Sequence, residues 1–280
     1  MPLTSEMRSQ LRSPFKDRVV CIHTGKLLEI TYVPARPKEV RPKKRGIVKG
    51  FTRSARLRML KTVASIQWDK IRHALFITLT YPSGTEAYDL RARSTQKYLF
   101  LRHMEKYLQA NVPTIWRIEW KIRRTGSEAG LLFPHFHLLA CTSRFIPHRL
   151  VRAWWRDSLG CSGPLATDVR RVVKGEIAGK YVAKYCSKLP DASSLDNVSY
   201  RNNLGRHWGI HRRHLLPFYE PIIFCNLRPD EIQFAENAAC MVLKDFTRGA
   251  RTGFCLLGDL AEKVGQEIWH RQLDSKRRSC

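Results

Sequence analysis

Two histidines separated by a single residue are the side chains best spaced for chemistry. They are His135 and His137, within the apolar run Leu131–Cys141, LLFPHFHLLAC. In an extended strand residues i and i+2 project from one face, so both imidazoles point one way and Phe136 the other. Such a strand offers two nitrogen ligands to one divalent cation. An isolated His-x-His equally describes two half-buried strand histidines, and the rest of the chain has to decide between them. Glu119 lies in the preceding predicted strand. If the two strands pair as a hairpin around Arg123–Gly130, an even register sum, such as 119 opposite 135 or 137, brings all three side chains to one face. Two imidazoles and a carboxylate suit Mg²⁺ or Mn²⁺, with positions left open for phosphate oxygens. Pro134 is the weak point, because a bulge there shifts the register by one and sends Glu119 to the other side. The bland alternative for Glu119 is an exposed carboxylate between Arg117 and Lys121.

A second group lies in KYVAKYCSK, residues 180–188. Tyr181 and Tyr185 are four apart and share a helix face, and each is followed three residues later by a lysine, Lys184 and Lys188. Ala178, Val182, Cys186 and Leu189 form the apolar stripe that would dock this helix. Ionising a phenol at pH 7 costs roughly 4 kcal/mol, from three pK units at ~1.36 kcal/mol each. Nearby ammonium groups offset part of that cost and can neutralise a pentacovalent phosphate transition state. Tyrosine attack on a phosphodiester exchanges one phosphoester for another and needs no ATP. Two surface tyrosines on a basic helix would leave the same pattern.

These groups require a sheet and helices to carry them. Ala74–Pro82 (ALFITLTYP) is β-branched and aromatic and predicts a buried strand. Helical spacing follows over Ser94–Ala110, then strands over Thr114–Lys121 and Leu131–Cys141. A helix from Pro147 to Gly160, a strand over Thr167–Lys174 and a helix over Glu176–Lys188 complete the series. The order β-α-β-β-α-β predicts an α+β fold: an antiparallel sheet of the split β-α-β type with helices on one face. A helix is also expected within Phe51–Arg72. Residues 1–50, with Pro14, Pro34, Pro37 and Pro42 spaced along them and the cluster RPKKR at 41–45, read as a basic arm with two possible short strands, Val19–Cys21 and Leu28–Val33. Residues 51–220 would form the main domain. Residues 221–280 would form a helical extension, with periodic stretches at Pro229–Phe246 and Leu257–Leu273.

Fifty Lys and Arg against 24 Asp and Glu give a net charge of +26, which points to a polyanionic partner, by default nucleic acid. No apolar run approaches the roughly 18 residues of a membrane span, so a membrane partner is not expected. The N-terminal stretch lacks the apolar core of a signal peptide. Eight cysteines without a C-x-x-C pair fit reduced thiols in a cytoplasm. GEIAGKY at 175–181 has the wrong spacing for a P-loop, which argues against a built-in nucleotide-driven motor.

FITLTYP, then HFHLLA, then YVAKYCSK, in that order, resembles the three motifs of the HUH endonuclease superfamily. The resemblance is nearest to its two-tyrosine rolling-circle replication initiators of single-stranded DNA phages and related plasmids. It covers roughly Ala74–Lys188, and LGRHWG (204–209) is similar to a stretch that follows the tyrosine helix in some bacterial relatives. It implies a ferredoxin- or RRM-like HUH fold in which His135, His137 and Glu119 hold Mg²⁺ or Mn²⁺. Tyr181 or Tyr185 would attack the scissile phosphate, leaving a 5′-phosphotyrosine and a free 3′-OH, and the second tyrosine would act after one round. The implied partners are single-stranded or hairpin origin DNA and a host helicase and DNA polymerase in a bacterial cytoplasm. A relaxase or a single-strand transposase would share this chemistry. A non-catalytic basic nucleic-acid binder and a nuclease using activated water are the readings from other classes.

Overall fold

The computed structural model describes residues 18–33, 51–83, 89–124, 129–163, 165–172, 205–225, 227, 229–242 and 254–278. In chain order the elements are β1 (Arg18–Thr24), β2 (Leu27–Val33), α1 (Arg53–Ala64), β3 (Ala74–Thr80), α2 (Leu90–Leu108), β4 (Thr114–Ile122) and β5 (Leu132–Cys141). They continue with α3 (His148–Leu159), β6 (Thr167–Val172), β7 (Trp208–His211), β8 (Ile222–Cys225), α4 (Pro229–Val242), β9 (Phe254–Leu257) and α5 (Asp259–Arg278). The fold is α+β, with two antiparallel sheets. The described residues fall into two compact units, one drawn from 51–59 and 68–217 and the other from 18–33, 60–67 and 218–278.

The larger unit holds a five-stranded sheet in the order β6-β3-β5-β4-β7. The expected series of two helices and four strands is present from β3 to β6. Alternation sorts the strand residues into two sets. Ile77, Leu79, Trp116, Ile118, Trp120, Phe136 and Leu138 turn to one face and are buried with Phe100, Leu101 and Met104 of α2 and Val151 and Trp155 of α3. Local signals fix both helices. The Asp89 carboxylate accepts from the Ala92 amide at 2.8 Å and caps α2. Gly160, at φ +64°, ends α3 in the left-handed conformation that glycine adopts without strain.

Pro134 leaves the register intact. The β4–β5 ladder runs without interruption from Thr114 opposite Ala140 to Ile122 opposite Leu132. The Cys141 amide donates to Pro113 O and the Thr142 amide to His73 O, so odd residues of β5 donate towards β4 and even ones towards β3. The missing donor of Pro134 therefore faces β3, whose ladder has already ended at Thr80 opposite His135. No bulge is needed.

The smaller unit holds a sheet in the order β8-β1-β2-β9. Cys21, Leu28, Ile30 and Leu256 from its strands are buried with Ala235 of α4 and Ala261, Val264 and Ile268 of α5. Gly265 in α5 is required by a close approach, since a Cβ there would stand 2.6 Å from the His23 ring. The two short strands expected within the basic arm, Val19–Cys21 and Leu28–Val33, are present as β1 and β2, but they form a hairpin whose outer edges pair with β8 and β9. Residues 18–33 therefore belong to a folded sheet rather than an arm, and residues 221–280 supply strands as well as helices. Strands β8 and β9 have four residues each, too few to show a period of two.

Candidate active site

The face of the five-stranded sheet opposite α2 and α3 carries the polar set. Glu119 stands directly across from His135, and Arg117 from His137. On the other flank of β5, Thr80 stands across from His135 and Thr78 from His137. The register sum of 119 and 135 is even, so the carboxylate and both imidazoles share one face.

Hydrogen bonds tie this set together. His137 Nε2 lies 2.8 Å from Glu119 Oε2. A carboxylate only accepts, so the imidazole donates from Nε2, and its Nδ1 accepts from the Thr78 hydroxyl at 3.3 Å. Thr80 Oγ1 lies 3.0 Å from His135 Nδ1. The two threonines thus hold both rings by the same nitrogen, Nδ1. His137 Nε2 is occupied by its bond to Glu119 and would face a metal only with its proton moved to Nδ1, the Thr78 hydroxyl then accepting. Phe76 stacks on His137 with ring centroids 5.7 Å apart. Lys121 Nζ adds an ion pair to Glu119 at 3.2 Å.

Charge states follow from these contacts. Burial opposes ionisation of Glu119, but the hydrogen bond and charge of His137 and the ammonium of Lys121 outweigh it and hold the carboxyl at about 2. Burial pushes His135 down to about 4, with the positive charges of Lys121 and His137 adding to the effect and Glu119 opposing it. Burial also lowers His137, against the pull of its bond to Glu119. Near neutral pH the face therefore presents neutral imidazoles and an ionised carboxylate, which are the protonation states of metal ligands.

Among the described residues, no three His, Cys, Asp or Glu side chains stand grouped as a ready metal cage. The contact that is made joins Glu119 to His137, while the His135 ring is bonded to Thr80. The donor types nevertheless suit a hard or borderline divalent cation: two imidazole nitrogens and one carboxylate, each imidazole held by a hydroxyl behind it. Lys121, with its side chain about half exposed, can swing away from the carboxylate.

The chain matches no protein-family model, no curated protein and no solved structure. The arrangement on this sheet face must therefore be judged on its own chemistry.

Of the residues singled out in the sequence, His135, His137 and Glu119 share one face of the sheet, with a hydrogen bond between Glu119 and His137. Tyr181, Lys184, Tyr185 and Lys188 lie outside the described residues. Thr78 and Thr80 escaped the sequence reading, although FITLTYP places them two apart on a strand and so on one face. The alternative for Glu119, an exposed carboxylate, does not hold, because its side chain is 11% exposed. Of the two cations named in that alternative, Lys121 does pair with the carboxylate, whereas Arg117 is buried with its guanidinium 4.6 Å from the ring centre of Phe51.

Proposed function

We propose that this chain is a metal-dependent single-stranded DNA nicking and joining enzyme of the HUH type, acting as a rolling-circle replication initiator. The observation that carries the reading is the shared face of His135, His137 and Glu119, with the carboxylate hydrogen-bonded to His137. The strand order β6-β3-β5-β4, with α2 and α3 on the opposite face, supports a split β-α-β sandwich of the ferredoxin or RRM kind. The net charge of +26 supports a nucleic-acid substrate.

In this reading His135, His137 and Glu119 hold one Mg²⁺ or Mn²⁺, which when bound supplies Lewis-acid polarisation of the scissile phosphate. Thr78 and Thr80 keep the imidazoles oriented and Phe76 packs the ring of His137. Tyr181 or Tyr185 loses its phenolic proton and its oxygen bonds to phosphorus as the 3′ oxygen of the DNA leaves and is protonated. The products are a 5′-phosphotyrosine and a free 3′-OH. Lys184 and Lys188 stabilise phenolate and transition-state charge. The second tyrosine repeats the step on the regenerated origin, and the released 3′-OH attacks the first phosphotyrosine to close a circle. Origin DNA in single-stranded or hairpin form is the substrate, and a host helicase and DNA polymerase are the further partners. Among the described residues no helix is long and apolar enough to cross a membrane.

The test is the covalent adduct. Labelled single-stranded DNA carrying the replicon's nick site, incubated with the protein and Mn²⁺, is expected to leave label joined to the chain through its 5′ phosphate. The combined Tyr181→Phe and Tyr185→Phe variant is expected to lose it. A nick without an adduct would overturn the tyrosine chemistry in favour of attack by activated water. Binding with no nick would favour a non-catalytic nucleic-acid protein.

A further inference from the structure

The same sheet carries a second polar site on its other face. A pocket of about 230 Å³ opens there, lined by Arg93 and Lys97 of α2, by Trp116 and Phe136 of the sheet, and by Arg206. Arg93 and Lys97 are four apart and so lie on one side of the helix. Arg206 is set by its neighbour Gly205, whose φ of +71° and approach to Leu90, where a Cβ would stand 2.3 Å from Cδ1, exclude a larger residue. Part of the LGRHWG stretch noted in the sequence thus acts to bring a cation into this pocket.

Lys97 Nζ lies 3.5 Å from the ring centre of Trp116 and 6.0 Å from that of Phe136. No carboxylate is among the lining residues, and no described ion pair engages Lys97 or Arg206; Asp89 caps the helix and lies outside the lining. Burial, with the charge of Arg206 adding to it, pushes the Lys97 ammonium down to about 8. Lys97 is half-buried and the exposed Arg206 adds a like charge at the mouth of the pocket; the two repel, and the aromatic rings offset only part of that. An entering anion would complete the arrangement. Arginine offers a flat fork and lysine a point charge, together a match for the oxygens of a phosphate. The volume falls below the roughly 300–1,000 Å³ of pockets for whole organic ligands, so it fits a phosphate and part of its sugar.

We infer that this pocket, bounded by Lys97, Arg206 and Arg93 over Trp116, binds the phosphate group of a nucleotide or of a single nucleic-acid strand. The inference is independent of tyrosine chemistry, and the variant lacking both tyrosines is expected to bind as the wild type does.

The experiment uses the full chain at low salt. Calorimetry with inorganic phosphate and with thymidine monophosphate, and anisotropy with a labelled twelve-nucleotide dT strand, are compared for wild type, Lys97→Met, Arg206→Met, Lys97→Arg and the exposed control Lys70→Met. Wild type is expected to bind both small probes, with at least a tenfold loss in Lys97→Met and Arg206→Met. Lys70→Met should stay within twofold and Lys97→Arg should retain most of the binding. Loss of the dT strand in parallel would assign the site to nucleic acid, and an unchanged dT affinity would assign it to a free nucleotide. Lys97→Met relieves repulsion and is expected to melt no lower than wild type. If it unfolds, the comparison of Lys97→Arg with Arg206→Met carries the test. No binding of either small probe to wild type, or equal binding by Lys97→Met and Lys70→Met, would overturn the proposal.

Discussion

Glu119 stands directly across the ladder from His135 but hydrogen-bonds the diagonal neighbour, His137, at 2.8 Å. Diagonal positions two residues along the facing strand are within reach of a long side chain. One carboxylate is therefore placed against both histidines, one by register and one by contact.

Replacing that carboxylate separates its two roles. Glu119→Gln keeps an acceptor for His137 Nε2 and is expected to fold normally while binding Mn²⁺ at least tenfold more weakly. Glu119→Ala leaves a buried N–H without its acceptor and is expected to cost about 1–3 kcal/mol. Urea unfolding measures the second effect and Mn²⁺ titration followed by electron paramagnetic resonance the first. Equal Mn²⁺ affinity in wild type and Glu119→Gln would remove Glu119 from the ligand set.

The threonines behind the imidazoles make a further prediction. Thr78→Val and Thr80→Val conserve shape but free the Nδ1 atoms, and second-layer losses of this kind typically weaken metal binding about 10–100-fold. The same titration measures it, and nicking at saturating Mn²⁺ should recover in part. Unchanged affinity in both variants would make the threonines mere packing.

Acid stability should reflect His207 and Glu105. Burial, together with the charges of Arg93 and Arg117, pushes His207 down to about 4. The unfolded chain, whose histidines titrate near ~6.5, then binds more protons than the folded one across that interval. Stability is thus full above about 6.5 and is lost as pH falls towards 4. At Glu105 burial opposes ionisation, but hydrogen bonds from Arg212, His211 and the Val112 amide prevail and hold the carboxyl at about 2. Its contribution is full above the ordinary carboxyl range near ~4.3 and fades as pH falls to 2. Melting temperatures taken from pH 7 to pH 3 should decline in both windows. His135 is lowered into the same interval, so His207→Phe should reduce the slope of the upper window without abolishing it and leave the lower one as it is. An unchanged slope in the upper window would exclude a contribution from His207.

Trp155 couples a helix to the strand beneath the site. It is fully buried, and its indole Nε1 donates to Thr80 O at 2.9 Å. Trp155→Phe keeps most of the packing and is expected to cost about 1–3 kcal/mol through the orphaned carbonyl, whereas Trp155→Ala should cost about 3–5 kcal/mol. Chemical denaturation distinguishes them, and equal losses would mean that packing alone matters.

Much of the larger unit was legible because its signals are local. The β-branched run at Ala74–Thr80, the alternation of TIWRIEWK and the stop at Gly160 each act within a few residues. The parity of Glu119 with the histidines was legible as a condition, and Pro134 satisfies it by placing its missing donor past the end of β3. The threonine contacts were not, since a strand threonine looks alike whether or not an imidazole lies across from it. The sheet of the smaller unit was hidden for a different reason. Its strands β1 and β8 pair across about two hundred residues of chain, and no local pattern announces a partner so remote.

That remoteness fixes an order of events at the ribosome. The β1–β2 hairpin is made early, yet its lateral hydrogen-bonding groups find β8 and β9 only after residues 222–257 have emerged. Until then a nascent chain carries two open strand borders of the sort that invite pairing with other molecules. Premature termination near residue 221 should therefore yield insoluble product even though every strand of the larger sheet has already been synthesised.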